Sequence, residues 1–281
     1  MKIFIVGLGL IGGSLCKAAK KYTDNYIIGL AHRQETIDKA MECGAVDEPA
    51  DSENIKQCDM VIVCLHPELA EKYMNDVIPV MKKGAILTDV CGIKGSMVER
   101  ITKEADRYGI RYVGAHPMAG KERFGFENSD AELFQNASFI ITPVESTDND
   151  AVETLKNFAL EIGFGKIVKA TPYEHDRNIA YTSQLAHVVS SAYVKSPSIH
   201  TENGFSGGSF QDMTRVATMN ENMWCELFLS NKKCLIEEID ILIKNLSDYR
   251  NALADENYDE LFRLIKEGRE LKEENLRKNM N

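Results

Sequence analysis

Short apolar runs recur along the first 170 or so residues, separated by amphipathic stretches of helical period. Lys2–Val6, Tyr26–Leu30, Met60–Leu65, Ala85–Asp89, Arg111–Ala115 and Phe139–Thr142 are too short for helices and nearly continuous in apolar character, the pattern of strands buried on both faces. Glu35–Cys43, Glu68–Met81 and Ser96–Tyr108 predict helices between them. This alternation predicts an α/β architecture with a doubly wound, mostly parallel sheet. From Thr171 onward the strand pattern stops. Pro172–Val194 predicts one long helix, Asn222–Leu253 a longer helical stretch, and Asp259–Asn281 a charged helical tail. A glycine-rich loop, Ser196–Gly208, leads into a short helix near Phe210–Met219. The expected boundary lies near residue 169, giving a sheet domain over 1–169 and an all-helical C-terminal domain over 170–281.

A length of 281 residues fits two domains at ~150 residues each. The balance of 33 basic and 43 acidic residues, net charge −10, argues against a broad nucleic-acid surface. No apolar run reaches the ~18 residues of a membrane helix, so neither nucleic acid nor membrane is an expected partner. The seven cysteines are scattered without CxxC spacing, which predicts no zinc site or disulfide framework and a reducing, cytoplasmic setting. Met1–Cys16 resembles a targeting peptide only superficially, because Gly7, Gly9, Gly12 and Gly13 interrupt it.

Those glycines have a better explanation. Gly7-Leu8-Gly9-Leu10-Ile11-Gly12 follows a strand and opens a helix, the context in which GxGxxG binds a dinucleotide pyrophosphate in a Rossmann-type domain. Gly7, Gly9, Leu10, Ile11 and Gly12 are the expected cofactor contacts. At the end of the second strand, where an acidic residue would read the ribose of NAD, the chain has Ala31 followed by His32 and Arg33. Two potential cations and no carboxylate favour NADP, with NAD still possible.

On the predicted helix 172–194, Asp176, Ala180, Ser183, Gln184 and His187 share a face that reads as a site wall. Gly114-Ala115-His116-Pro117-Met118-Ala119-Gly120-Lys121-Glu122 lies just past a strand's carboxyl end, where open α/β sheets bind ligands. A histidine there suits proton abstraction from an alcohol, although its position alone is equally compatible with a structural role.

Together with TDVCGIKG (88–95), the EHD at 174–176, QLAH (184–187), GSFQDMTRVA (208–217) and the run ending at Trp224, these segments resemble the prephenate/arogenate dehydrogenase family over nearly the whole chain. The resemblance implies NAD(P)-dependent oxidative decarboxylation of prephenate or arogenate in tyrosine biosynthesis, and a homodimer formed through the helical domain. It implies that His116 accepts the proton of the ring hydroxyl and that Arg215 grips a substrate carboxylate, an i,i+3 pair with Asp212 being the alternative for Arg215. His187 and Gln184 are implied at the substrate's edge. The chain departs from the family pattern at Gly92, where a serine hydroxyl is common, so Ser96 or water would have to supply that support. Gln184 replaces a common histidine, and Lys121 a common hydroxyl residue. Two other readings stay open: a different two-domain hydroxyacid or imine dehydrogenase, and a regulatory protein that binds NAD(P) without turnover.

Overall fold

The computed structural model describes residues 1–121 and 123–279, with the side chains of Ser96 and Asn279 outside the description. Glu122, the last residue of the histidine-proline motif, and Ser96 as a stand-in for the missing hydroxyl therefore fall outside it. β1 (Lys2–Val6) leads into α1 (Leu10–Tyr22), β2 (Tyr26–Leu30), α2 (Gln34–Glu42) and a two-residue β3 (Glu48–Pro49). β4 (Met60–Val63), α3 (Pro67–Val77), β5 (Ile86–Asp89) and α4 (Gly95–Tyr108) follow. Then come β6 (Arg111–Pro117), β7 (Ser138–Thr142), α5 (Asn149–Glu161) and β8 (Lys166–Lys169).

The described strands form one eight-stranded sheet in the order β3-β2-β1-β4-β5-β6-β7-β8. Every pairing is parallel except β6 with β7, where Gly114 faces Thr142 and His116 faces Ile140. The strands read as continuous apolar runs because each face has its own core. In β1, Ile3 and Ile5 pack on one side with Leu15 and Ile27, while Phe4 and Val6 pack on the other with Val61 and Met74. Both layers are therefore covered, as a parallel sheet requires.

The helical segment begins with α6 (Pro172–Ile179), which has a full capping box. Thr171 accepts from the Glu174 amide, and Glu174 accepts from the Thr171 amide, an arrangement worth about 0.5–2 kcal/mol. The predicted single helix 172–194 is continuous, but a π turn at Ala180–Gln184 separates α6 from α7 (Leu185–Tyr193). α8 (Gly208–Thr214), α9 (Glu221–Ser230), α10 (Lys232–Ala254) and α11 (Tyr258–Asn279) complete the chain. The helical stretch expected over 222–253 consists of two helices. Asn231 interrupts it, buried, with its amide nitrogen donating to the Asp176 carbonyl and to Gln184 Oε1, both at 2.8 Å.

The described residues divide into two compact units, 1–232 and 233–281. The second holds nearly all of α10 together with α11. Its surface carries helix-spaced ion pairs such as Arg263–Glu260, Arg263–Glu267 and Arg269–Glu273. Among the described residues, no helix is long and apolar enough to cross a membrane.

Candidate active site

The loop from β1 to α1 is shaped by close approach. Gly7 has φ +86°, and a Cβ there would stand 2.4 Å from the Cys64 carbonyl oxygen. A Cβ on Gly12 would stand 2.1 Å from the Gly7 oxygen. Side chains at Gly7 and Gly12 are therefore excluded by backbone, whereas a Cβ on Gly9 would meet nothing within 4 Å. That open space lies at the N-terminus of α1, whose first-turn amides have no intrahelical acceptor and whose N-cap glycine has no side chain to satisfy them. The donor set suits an anionic pyrophosphate. Ala31, His32 and Arg33 line an adjoining cavity of about 510 Å³ together with Gly7 and Gly9, and Glu127 is its acidic member.

A larger cavity of about 700 Å³ is lined by Gly7, Gly9, Leu10, Ile11 and Gly12 on one side and by His116, Lys121, His187 and Arg215 on the other. Among its described lining residues there is no carboxylate, while Lys121 and Arg215 supply positive charge. Lys121 Nζ also lies 3.1 Å from Asp130 Oδ2. His116 stands within β6 rather than past its end, because the antiparallel partner β7 extends the strand to Pro117. Gly92 lies beside it. A Cβ there would sit 3.6 Å from Leu227 Cδ2 and 3.9 Å from His116 Nε2, both ordinary contacts, so close packing does not by itself require glycine at this position.

The expected wall of the long helix is only partly realised. Ser183, Gln184 and His187 line the cavity together with Ile179, whereas Asp176 and Ala180 are buried elsewhere. The π turn inserts extra arc between Ala180 and Gln184, so an assumed 3.6-residue period loses phase across it. Gln184 is tied at both ends of its amide: Nε2 donates to the Leu227 carbonyl at 3.0 Å and Oε1 accepts from Asn231. His187 stacks on Trp224 with ring centroids 3.8 Å apart. Its Nδ1 donates to the Ser183 carbonyl at 2.9 Å, and burial lowers its pKa.

The sequence reading missed what stands behind His116. His116 Nδ1 is 2.9 Å from His175 Nε2, and His175 Nδ1 is 2.7 Å from Asp176 Oδ1. The Asp176 carboxylate accepts the backbone amides of Lys94 at 2.8 Å and Gly95 at 2.7 Å. Lys94 in turn directs a fully buried ammonium at the fully buried Asp89 carboxylate. Asp89 also accepts from Tyr112 Oη at 2.6 Å and from the Cys91 amide at 2.8 Å. Burial, then the neighbouring His175 and Lys94, hold the His116 pKa well below the usual histidine value. His175 is also lowered, mainly by burial, against the opposing pull of Asp176. The EHD triplet was visible in the sequence, but helical periodicity put only Asp176 on the wall and left His175 without a partner.

The chain is similar to known proteins along nearly its whole length. Residues 15–169 match the prephenate dehydrogenase nucleotide-binding domain, and residues 171–267 match the prephenate dehydrogenase dimerization domain. A prephenate dehydrogenase of Bacillus subtilis is 32% identical over 96% of this chain and 75% of its own. The crystal structure of prephenate dehydrogenase from Aquifex aeolicus, bound to hydroxyphenyl propionate and NAD⁺, superposes with TM-score 0.86 at 27% identity, covering 98% of each chain. The Synechocystis arogenate dehydrogenase structure gives TM-score 0.83 at 28% identity over 98% of this chain and 99% of its own. With both halves matched in order and a relative 32% identical over 96% of this chain, the chain belongs to the prephenate dehydrogenase family.

Proposed function

We propose that the protein catalyses the NAD(P)-dependent oxidative decarboxylation of prephenate or arogenate, with His116 as the base. The observation that carries this reading is one cavity in which the glycine loop, His116 and the cationic Arg215 face a common space. Its volume is in the range of small-molecule sites, ~300–1,000 Å³. His116 has one nitrogen engaged by His175, which leaves Nε2 to accept the proton of the substrate's ring hydroxyl. When bound, the nicotinamide supplies the acceptor for hydride from the carbon bearing that hydroxyl. Loss of the ring carboxylate as CO₂ then leaves an aromatic product, so the reaction runs one way.

Arg215 opens a short 3₁₀ turn after α8 and lines the cavity. A guanidinium suits planar, two-point capture of a carboxylate. Arg215→Ala is expected to lower kcat/KM by about 10- to 100-fold, the worth of hydrogen bonds to a charged group. A change of less than about twofold would remove Arg215 from substrate binding.

In this reading residues 1–169 hold the nucleotide, with Gly7, Gly9, Leu10, Ile11 and Gly12 at the pyrophosphate and His32 and Arg33 at the ribose end. Residues 170–281 complete the substrate site and carry a homodimer contact. Support for the dimer comes from Ile236, Ile243, Leu246 and Leu253, which are more than half exposed in this single chain. All seven cysteines are free thiols, in keeping with a reducing cytoplasm. The end of β2 lacks the acidic residue that an NAD site would place there, which favours NADP. Ala31→Asp is expected to shift the NADP⁺/NAD⁺ ratio of kcat/KM toward NAD⁺ by about tenfold or more. Persistence of an NADP preference in that variant would mean that the ribose end is read elsewhere.

The function is tested by offering prephenate and arogenate, each with NAD⁺ and with NADP⁺, and following reduced-nicotinamide absorbance. Turnover in any of the combinations supports the reading, and the best one identifies both specificities. Silence in every one, with nucleotide still bound, would instead favour a nucleotide-binding regulatory protein.

A further inference from the structure

We propose that His175 and Asp176 form a proton relay with His116, fixing its tautomer before the reaction and taking up the positive charge during it. The inference rests on the proposed role of His116 and adds two positioning residues to it.

The tautomers follow from which atoms can donate. Asp176 already accepts two backbone amides, from Lys94 and Gly95, at its carboxylate oxygens. As an acceptor-only group it requires that the contact with His175 Nδ1 be a donated N–H. A neutral His175 then has its lone pair on Nε2, and the 2.9 Å contact with His116 Nδ1 must be donated by His116. His116 is thereby held as the Nδ1–H tautomer, with the Nε2 lone pair presented to the cavity. This is the form that can receive a proton.

The same chain moves charge. As the substrate O–H bond breaks, an Nε2–H bond forms on His116. The Nδ1–H bond of His116 then breaks as an Nε2–H bond forms on His175. His116 ends neutral, and the cation resides on His175 against the Asp176 carboxylate. The charged groups around the pair favour that direction. Lys94 and Asp89 come from β5 and the turn after it, Asp89 being matched by Lys94 and bonded to Tyr112 of β6. Asp176 comes from α6 and touches His175 but not His116. Across the cavity stand His187 and Arg215. A cation left on His116 would sit half-buried near Lys94, with no carboxylate in contact among the described residues. One on His175 has Asp176 at 2.7 Å.

Long-range ¹H–¹⁵N correlation of the histidine rings in the ligand-free protein, which has only six histidines, reads the tautomers directly. The expected result is Nδ1–H for both His116 and His175 above pH 7. An Nε2–H tautomer at His116 would overturn the relay, whatever the activity. The kinetic test compares His175→Leu with His175→Gln. Leucine removes both acceptor and proton carrier, and kcat should fall by about 10²–10³ with KM nearly unchanged. Glutamine offers Oε1 to the His116 N–H but cannot take up a proton, so it should recover about tenfold of that loss. In wild type the acid limb of kcat/KM reports the coupled pair. In His175→Gln protonation must fall on His116 alone, so the limb should move to lower pH by about one unit. A leucine variant within about threefold of wild type, or a reduced rate with an unmoved limb, would overturn the proposal. Failure of the unaltered protein to turn over either substrate would refute the function and leave the tautomer measurement decisive for the relay.

Discussion

His116→Asn should retain nucleotide binding and lose turnover by about 10²–10⁴, the usual contribution of a positioned general base. Asparagine is smaller than histidine and can still donate to His175 from its amide nitrogen, so the wall is conserved while the basic nitrogen is lost. The effect should fall on kcat, because the histidine matters most as the proton moves. Nucleotide affinity, measured by fluorescence or calorimetry, should stay within about twofold of wild type, since the glycine loop lies on β1 and α1. A near-wild-type rate would remove His116 from the chemistry and take the relay behind it as well. Loss of nucleotide binding along with turnover would point instead to a collapsed β6–β7 pairing. The depressed pKa of His116 gives the expected pH behaviour its sign: the base is neutral at pH 7, and activity is lost only as pH falls below the usual histidine range.

The second large effect is on stability. Lys94 and Asp89 are both fully buried and paired with each other. Lys94→Met keeps the aliphatic volume but leaves the Asp89 carboxylate without its cation, though still accepting from Tyr112 Oη and the Cys91 amide. Removing one member of a buried pair costs about 3–5 kcal/mol, read as a lowered urea midpoint at unchanged m-value. The double variant Lys94→Met/Asp89→Asn should recover part of that loss, because asparagine carries no buried charge and can accept from the Cys91 amide with its oxygen while its amide nitrogen donates to the Tyr112 hydroxyl oxygen. Additive losses in the two single variants and the double would mean that the pair contributes little to each other's stability. The pair also anchors the turn whose Lys94 and Gly95 amides hold Asp176, so the folded fraction of Lys94→Met should show reduced kcat as well.

Most of the fold's elements were legible because their signals are local. Apolar runs bounded by turns located β1, β2, β4, β5, β6 and β7 to within a residue or two. The glycine spacing after β1 was legible because the motif is contiguous and Gly12 is excluded from bearing a side chain by Gly7 itself, although Gly7 also makes a close approach to the Cys64 carbonyl beyond β4. What failed was also informative. β3 is only two residues long and includes Pro49, and β8, at the sheet edge, is two half-buried apolar residues between exposed lysines. Neither offers the buried run from which a strand is recognised. The break at Asn231 was invisible because helical propensity continues through it. It exists because a buried carbonyl and a buried amide, 55 and 47 residues away, need its side chain.

By itself the sequence determined the doubly wound architecture, the nucleotide loop and its uncharged ribose-end residue Ala31, and, through family resemblance, the choice of His116 and Arg215 as candidates. Each is carried by a contiguous motif whose chemistry is local to it. The tertiary structure alone decided that β7 runs antiparallel and lengthens the strand bearing His116, that Asp176 and Ala180 leave the wall which Ser183 and His187 line across the π turn, and that His175, Asp176 and Lys94 stand behind the base. These depend on partners far apart in the chain, 59 residues for His116 with His175 and 82 for Lys94 with Asp176. A buried polar group must find its donor or acceptor wherever the packed fold puts one, and sequence periodicity holds no record of that pairing.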